Sequence, residues 1–162
     1  MRKLILLMVF ATISCSVFSQ KIVKNEKDDF TGKQVKETSY VSISDGFNCR
    51  IRVVNETPVF YANFNGGGEI YTMEKGAEFM FKLENDSIVT LYNIETSVSE
   101  YFSMGNISHF TLKTNYMLPE EDLNALKTYK ITKVRFVTTE GYIERKVSKG
   151  NSAKLLKLFN LI

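Results

Sequence analysis

The side chains that most often carry out chemistry are scarce in this sequence. It contains one histidine, His109, and two cysteines, Cys15 and Cys49. No H-x-x-x-H pair, cysteine pair or G-x-S-x-G stretch accompanies them, so neither a histidine-based metal site nor a Ser-His-Asp triad is indicated. The D-x-[DN]-x-[DN]-G loop that binds calcium is also missing from the sequence. We therefore predict no metal and no cofactor, and we expect a protein that is not an enzyme.

Cys49 lies in a segment, FNCRIRVV, in which apolar and polar residues alternate. On a β-strand, Phe47, Cys49 and Ile51 would share one face, and Arg50 and Arg52 would lie on the other. This pattern predicts a buried thiol that packs as a small apolar side chain. An intermolecular disulfide and a catalytic thiol are the alternatives.

Acidic residues cluster at positions 28–29, 84–86 and 120–122. The last cluster fits the start of a helix, where carboxylates interact favourably with the positive end of the helix dipole. Glu84 and Asp86 flank a predicted turn. A glycoside hydrolase needs two carboxylates across a cleft, and the sequence nominates no such pair, so a carboxylate-dependent hydrolase is an alternative hypothesis only.

Aromatic residues and glycines indicate a candidate binding surface. Tyr101 and Phe102 stand beside a glycine in SEYFSMG, and Gly66, Gly67 and Gly68 form a run in NFNGGGEIY. A phosphate-binding P-loop needs Lys-Ser or Lys-Thr and a helix after its glycines, whereas a strand-like run follows here. The glycines therefore favour a hairpin loop. The aromatic residues either pack in the core or form an exposed patch that binds a protein or a glycan.

Alternating apolar and polar runs predict ten strands separated by turn residues. The predicted strands cover 35–44, 47–54, 57–64, 69–73, 78–84, 88–94, 98–104, 109–116, 131–138 and 142–147. Two helices are predicted, a short one near 119–128 and a C-terminal one near 152–161 with Asn151 or Ser152 as its cap. Short connections favour antiparallel pairing. We predict a mainly β fold that leans towards α+β, an antiparallel two-sheet sandwich with the C-terminal helix packed on it. A single curved sheet around that helix is the alternative.

Residues 1–19 have the pattern of a signal peptide. Arg2 and Lys3 precede the apolar run LILLMVFA, and small polar residues follow it. The run is too short to span a bilayer, so we predict no transmembrane helix. We expect 20–34 to form an extended lead-in and 35–162 to form a single β-rich domain.

Two processing sites compete within ISCSVFSQ. A cut before Gln20 fits the small residues Val17 and Ser19 and would release a soluble chain. A cut before Cys15 would leave a lipid anchor, but Thr12 stands where the lipidation signal normally has leucine. We expect release into the periplasm or outside the cell, and lipid anchoring in the envelope through Cys15 is the alternative.

The balance of charge is close to neutral. The sequence has 21 basic and 18 acidic residues, and removal of the signal peptide would take two of the basic ones. A near-neutral domain does not attract a polyanion over long range. We therefore expect no nucleic-acid partner.

The stretch DDFTGKQVKETSY, with Phe30, Thr31 and Gly32, resembles the opening of small secreted proteins of unknown function from Bacteroidetes. The stretch YKITKVRFVTTEGYIERKV and the apolar segment that ends the chain resemble the end of those proteins. The resemblance implies an envelope or extracellular setting and brings no catalytic residues. In that setting DSI, residues 86–88, resembles the acceptor of an envelope O-glycosylation system. This makes Ser87 a candidate O-glycosylation site, with a plain turn serine as the alternative.

Together these features predict an exported, non-catalytic binding or structural module of the cell envelope or periplasm. Its partner would be a protein or a glycan. A carboxylate-dependent hydrolase of envelope polymers is one alternative. The other is an inhibitor of a secreted protein that binds through an exposed loop such as 65–68.

Overall fold

The computed structural model of the protein describes residues 20–104 and 107–162, so the predicted signal peptide with Cys15 lies outside the described residues. The described chain is mainly β, with 54% of residues in strands and 14% in helices. The strands are β1 (Ile22–Lys27), β2 (Gln34–Thr38), β3 (Val41–Ser44), β4 (Phe47–Val54), β5 (Thr57–Asn65), β6 (Thr72–Met73), β7 (Glu78–Leu83), β8 (Ile88–Tyr92), β9 (Ser97–Val98), β10 (Glu100–Met104), β11 (Ile107–Met117), β12 (Ile131–Thr138) and β13 (Gly141–Lys146). The helices are α1 (Glu120–Thr128) and α2 (Lys149–Phe159).

The strands form two main antiparallel sheets. The large sheet has seven strands in the order β1-β2-β4-β5-β11-β10, with β3 also pairing with β4, and the small sheet has the order β13-β12-β7-β8. A two-stranded ribbon joins β6 to β9. The sheets are arranged as a sandwich with two helices, so the predicted fold class is confirmed.

The predicted strand at 35–44 consists of two strands in the structure. Both β2 and β3 pair with β4, and the chain is interrupted between them. At the interruption the hydroxyl of Thr38 accepts a hydrogen bond from the backbone N–H of Ile51 at 2.9 Å. The side chain thus replaces a backbone carbonyl that the irregular chain no longer presents.

Aromatic rings from the inner faces of the two sheets fill the core. Phe47 of the large sheet meets Phe136 of the small sheet with ring centroids 5.4 Å apart, and Phe79 lies 5.1 Å from Tyr116. These tilted and edge-on arrangements are the favoured geometries for aromatic pairs. Cys49 is fully buried beside them as a free thiol, so the predicted burial is confirmed. Burial raises the pKa of Cys49 far above its ordinary value, and the thiol is therefore protonated.

Helix α2 packs against both sheets. The ring of Phe159 stacks on Phe60 of the large sheet, at 6.2 Å, and meets Phe81 of the small sheet edge-on. The helix begins at residue 149, three residues before the predicted start. The reason is that Ser148, rather than Asn151 or Ser152, is the cap: its hydroxyl accepts a hydrogen bond from the backbone N–H of Asn151.

Part of the predicted lead-in is a strand of the large sheet. β1 pairs with β2, and the two are joined by a turn built around Asp28. One carboxylate oxygen of Asp28 accepts hydrogen bonds from the backbone N–H groups of Phe30 and Thr31 and from the Thr31 hydroxyl. Phe30 lies in this turn and is 100% exposed.

Candidate functional site

A cleft lined mainly by polar side chains lies on the outer face of the large sheet. Alternation along the strands places apolar side chains in the core and sends polar ones to this face. The cleft has a volume of about 440 Å³. We call it the outer-face groove; the side chains that line it include Tyr40, Arg50, Tyr61, Asn63, Glu95, Thr96, Val98, Glu100, Lys113 and Asn115.

A cation held between two tyrosine rings forms one end of the groove. The guanidinium of Arg50 lies 5.1 Å from the ring centre of Tyr40 and 5.2 Å from that of Tyr61. Glu37 accepts a hydrogen bond from Arg50 at 3.1 Å and also pairs with Arg52. Cation–π contacts and the ion pair fix the guanidinium, which in turn holds both rings in place.

Sheet register places the amides of the groove beside these rings. Tyr61 lies directly opposite Arg50 on β4 and opposite Asn115 on β11. The side-chain amide of Asn115 donates a hydrogen bond to the carboxylate of Glu95 at 2.9 Å. Side chains at directly opposed positions of neighbouring strands are close enough to act on one ligand.

The wall formed by residues 95–98 is positioned by a buried amide. Asn93 is 2% exposed, and its side-chain N–H₂ donates to the backbone carbonyls of Met73, Glu74 and Glu95. Its side-chain oxygen accepts from the backbone N–H of Asn115. Asn93 therefore holds the wall and β11 in register without lining the groove itself.

The positive charges of the groove are already paired. Arg50 is bound to Glu37, and Lys113 is bound to Glu100. Glu95 adds a further carboxylate, which the amide of Asn115 satisfies in part. The groove therefore offers hydrogen-bond donors and acceptors together with aromatic faces, and it offers no unpaired cation to an anionic ligand.

The structure places the predicted glycine run and Tyr101 at the same end of the large sheet. The N–H of Gly66 donates to the carbonyl of Phe110, and the N–H of Phe110 donates to the carbonyl of Gly67. Phe110 in turn lies opposite Tyr101, whose ring it meets edge-on at 5.6 Å. The glycine run therefore continues the pairing of β5 with β11. A Cβ atom added to Gly66 would lie 2.8 Å from the ring of Tyr71, whereas a Cβ atom added to Gly68 would meet nothing within 4 Å.

Tyr101 and Phe102 project from opposite sides of β10, because adjacent residues of a strand alternate. Both are exposed, by 61% and 57%. Phe102 lies on the same side as Glu100, which lines the outer-face groove, and Tyr101 lies on the other. They belong to two surfaces, and a binding role for either of them stays a prediction.

Ser87 is exposed in the turn between β7 and β8. Its hydroxyl donates a hydrogen bond to the side-chain oxygen of Asn85 at 2.7 Å, and Asp86 has the left-handed backbone conformation with φ of 65°. The hydroxyl is accessible at the tip of a hairpin. O-glycosylation of Ser87 stays a prediction.

The sequence predicts the orientation of only some of the residues that line the outer-face groove. Alternation in FNCRIRVV and in the strand that contains Phe60 and Tyr61 put Arg50 and Tyr61 on the faces opposite to the buried residues. No local sequence pattern predicts that Arg50 and Tyr61 lie near Asn115 and Glu95, because this proximity depends on the register of β5 with β11.

No protein-family model, curated protein or solved structure matches this chain. None of the helices in the described residues is long and apolar enough to cross a membrane. Within residues 20–104 and 107–162, no three His, Cys, Asp or Glu side chains come together as a metal site would require.

Proposed function

We propose that this protein is an exported, non-catalytic binding module of the cell envelope or periplasm, and that it binds a neutral glycan in the outer-face groove. The observation that carries the proposal is the row formed by Arg50, Tyr61, Asn115 and Glu95. A sugar ring presents an apolar face of C–H groups and an edge of hydroxyls. The tyrosine rings can stack on the apolar face of the sugar, and the amides and carboxylates can form hydrogen bonds with its hydroxyls.

The charge of the groove supports a neutral ligand over an anionic one. An anionic ligand would have to displace Glu37 from Arg50 or Glu100 from Lys113, and so would lose one ion pair for each that it gains. A neutral ligand binds without that exchange. Its hydroxyls can donate to Glu95 and accept from Asn63 and Asn115.

Titration calorimetry with a panel of neutral oligosaccharides tests the proposal. We expect binding of at least one member, and we expect Tyr61→Ala to weaken it by tenfold or more, because a stacking surface and the support of Arg50 are lost together. Tyr142→Ala is the matched control, since Tyr142 also stacks on an arginine, Arg135, but on the small sheet. Equal loss in both variants, or no binding by any member, would contradict the proposal.

The export of the protein is supported by the pattern of residues 1–19. Intact-mass measurement on the protein from its native host tests it. A mass that begins at Gln20 means release, and a mass that begins at Cys15 with acyl chains means a lipid anchor. Excess mass on the peptide that contains Ser87 would establish its modification, and an unmodified peptide would make Ser87 a plain turn serine.

One observation favours the alternative of a carboxylate-dependent hydrolase. Glu95 and Glu100 both line the outer-face groove. If they act on a glycan, the bound oligosaccharides should be shortened over time, and Glu95→Ala and Glu100→Ala should stop the cleavage. Chromatography of the ligand after incubation measures the cleavage. If the ligand binds and stays intact, the hydrolase is contradicted and the binding module remains the proposed function.

Another observation favours an inhibitor of a secreted protein. Phe30 is fully exposed on a turn that Asp28 fixes by three hydrogen bonds. Rigid exposed aromatic residues are frequent anchors of protein interfaces. If the protein inhibits a secreted hydrolase from the same host, Phe30→Ala should raise the inhibition constant, and Phe102→Ala should leave it unchanged.

A further inference from the structure

The outer-face groove is part of a longer row of polar side chains on the large sheet. Strand β11 turns every second side chain to the outer face, because the residues between them, such as Leu112 and Thr114, are buried. The outward side chains are His109, Thr111, Lys113 and Asn115. Lys113 and Asn115 line the groove, whereas Thr111 and His109 lie beyond it, where β11 pairs with β10. The floor of the groove therefore continues along β11.

Neighbouring strands widen this row with amide groups. Asn63 lies opposite Lys113 of β11 and opposite Asn48 of β4, and Asn65 lies opposite Thr111. Amides and hydroxyls both donate and accept hydrogen bonds, and directly opposed side chains lie within about 5.5 Å of each other. The surface therefore offers uncharged hydrogen-bonding groups beyond the groove itself. We call the following residues the polar strip: His109, Thr111, Lys113, Asn115, Asn63 and Asn65.

An aromatic side chain lies at each end of the polar strip. Tyr61 lies directly opposite Asn115 at one end. At the other end Phe102 of β10 lies directly opposite His109 on the outer face, and it is 57% exposed. Asn115 and His109 are six residues apart on β11, which corresponds to about 20 Å at the rise of an antiparallel strand. Two aromatic faces are thus separated by a strip of hydrogen-bonding groups.

We propose that the outer-face groove is one end of an extended site for a linear neutral oligosaccharide. One sugar ring stacks on Tyr61, and a later ring of the same chain stacks on Phe102. The extended site rests on the function proposed above and specifies the class of its ligand. A single sugar ring covers one aromatic face and cannot reach both across about 20 Å. A chain of several sugars repeats an apolar ring face and a set of hydroxyls in each unit, which matches two aromatic faces with polar groups between them.

The charges in the middle of the polar strip favour an uncharged chain over an acidic one. Lys113 forms an ion pair with Glu100 at 2.5 Å, and Glu100 lies opposite Thr111. An acidic sugar would have to break this pair to bind Lys113. The hydroxyls of a neutral sugar can form hydrogen bonds with both groups while the pair stays intact.

Binding should strengthen with the length of the chain until the chain reaches Phe102. Once the first ring is bound on Tyr61, a ring further along the same chain meets Phe102 at a high effective concentration. The second contact therefore adds affinity without a second loss of translational and rotational freedom. Chains that are too short to reach Phe102 gain nothing from it, so affinity should rise between short and long chains and then level off.

Titration calorimetry with neutral glucan and N-acetylglucosamine oligosaccharides of two to six units tests the extended site. In a series that binds, we expect the six-unit chain to bind about tenfold or more tightly than the two-unit chain. Phe102→Ala should abolish this gain and leave binding of the two-unit chain unchanged. Tyr101→Ala is the matched control, because Tyr101 is the neighbouring exposed aromatic residue but lies on the other face of β10.

The outcomes of this titration separate the extended site from the proposed function. If short chains bind and depend on Tyr61, but all lengths bind equally, the extended site is wrong and the groove remains the glycan site. A gain with length that Phe102→Ala leaves intact, or that Tyr101→Ala also abolishes, would equally overturn the extended site. Binding of no chain would reject both the extended site and the proposed function.

NMR of His109 locates the far end of the bound chain. The sequence contains one histidine, so its ring signals need no further assignment. Because His109 lies directly opposite Phe102, the six-unit chain should shift these signals and the two-unit chain should leave them in place. Tighter binding of the six-unit chain with unshifted His109 signals would overturn the contact at Phe102.

Discussion

A single buried amide, that of Asn93, ties together three parts of the chain. Its side chain bonds to the backbone before β7, to the wall of the outer-face groove and to β11. Both ends of the amide are used, as a donor group and as an acceptor. Few other side chains could satisfy this site, because the carbonyls of Met73, Glu74 and Glu95 all require a donor.

The change Asn93→Asp tests this role. It would place a carboxylate against three carbonyl oxygens in a buried position, so we expect the free energy of unfolding to fall by about 3 kcal/mol. Urea denaturation measures the loss. Asn124→Asp, on the exposed side of α1, is the control and should change stability little. Unchanged stability of Asn93→Asp would contradict a structural role for this amide.

The sequence predicted single residues well where one strand decides their environment. Cys49 is buried because alternation within β4 puts it on the same face as Phe47 and Ile51. Asn93 lies in a predicted strand, and the sequence indicates no role for it, because its partners Met73, Glu74 and Asn115 are about twenty residues away in one direction or the other and only Glu95 is close. A polar residue whose partners are distant in sequence leaves no local pattern.

Among the elements, the connection between β5 and β6 depends on close approach of the chain to itself. Gly66 lies against the ring of Tyr71, and the N–H of Glu69 donates to the carbonyl of Gly66. The predicted strand at 69–73 is consequently reduced to Thr72–Met73. A turn held by contacts with β11 replaces the first residues of that strand, and alternation alone could not reveal it.

Alanine at two neighbouring glycines separates close approach from loop flexibility. In Gly66→Ala the new Cβ would lie 2.8 Å from Tyr71 and 2.9 Å from the carbonyl of Glu69, so we expect a loss of about 1–3 kcal/mol. Gly68→Ala meets nothing within 4 Å and should be neutral or slightly stabilising. Thermal denaturation of both variants checks this. Equal effects would mean that the run acts through chain flexibility.

The turn between β1 and β2 should depend on pH. Hydrogen bonds from Thr31, first from its backbone N–H and then from its hydroxyl, lower the pKa of Asp28 below its ordinary value of 3.8. A lowered pKa in the folded state means that the carboxylate stabilises the turn above the unfolded pKa, and this contribution disappears as the pH falls through the folded pKa. NMR of the Thr31 amide should follow that titration. Asp28→Asn should remove the pH dependence, and a flat profile in the parent protein would contradict the assignment.

At the scale of the whole molecule, helix α2 connects the two sheets. Phe159 is fully buried and contacts Phe60 of the large sheet and Phe81 of the small sheet. Asn151 also donates a hydrogen bond to the backbone of Ile43 in β3. The apolar stripe predicted this docking, and the sequence did not reveal which strands receive it, because strand order depends on contacts between distant segments.

Phe159→Ala should therefore weaken both sheets together. Removal of a fully buried aromatic side chain costs about 3–5 kcal/mol. We expect amide hydrogen exchange to accelerate in β5 and in β7 by similar factors. Leu156→Ala, at a half-buried position of the same helix, should have a smaller effect. Acceleration in one sheet alone would show that the sheets unfold independently.

The position of α2 in the core also determines when the core can form during synthesis of the chain. Protein synthesis proceeds from the amino end, and strands made early, such as β3 and β5, lie against residues 151 and 159. The core can therefore close only after residues 151–159 have been synthesised and have left the ribosome. Until then the aromatic side chains of the early strands lack their partner in α2, and exposed apolar surface of this kind favours contact with other chains.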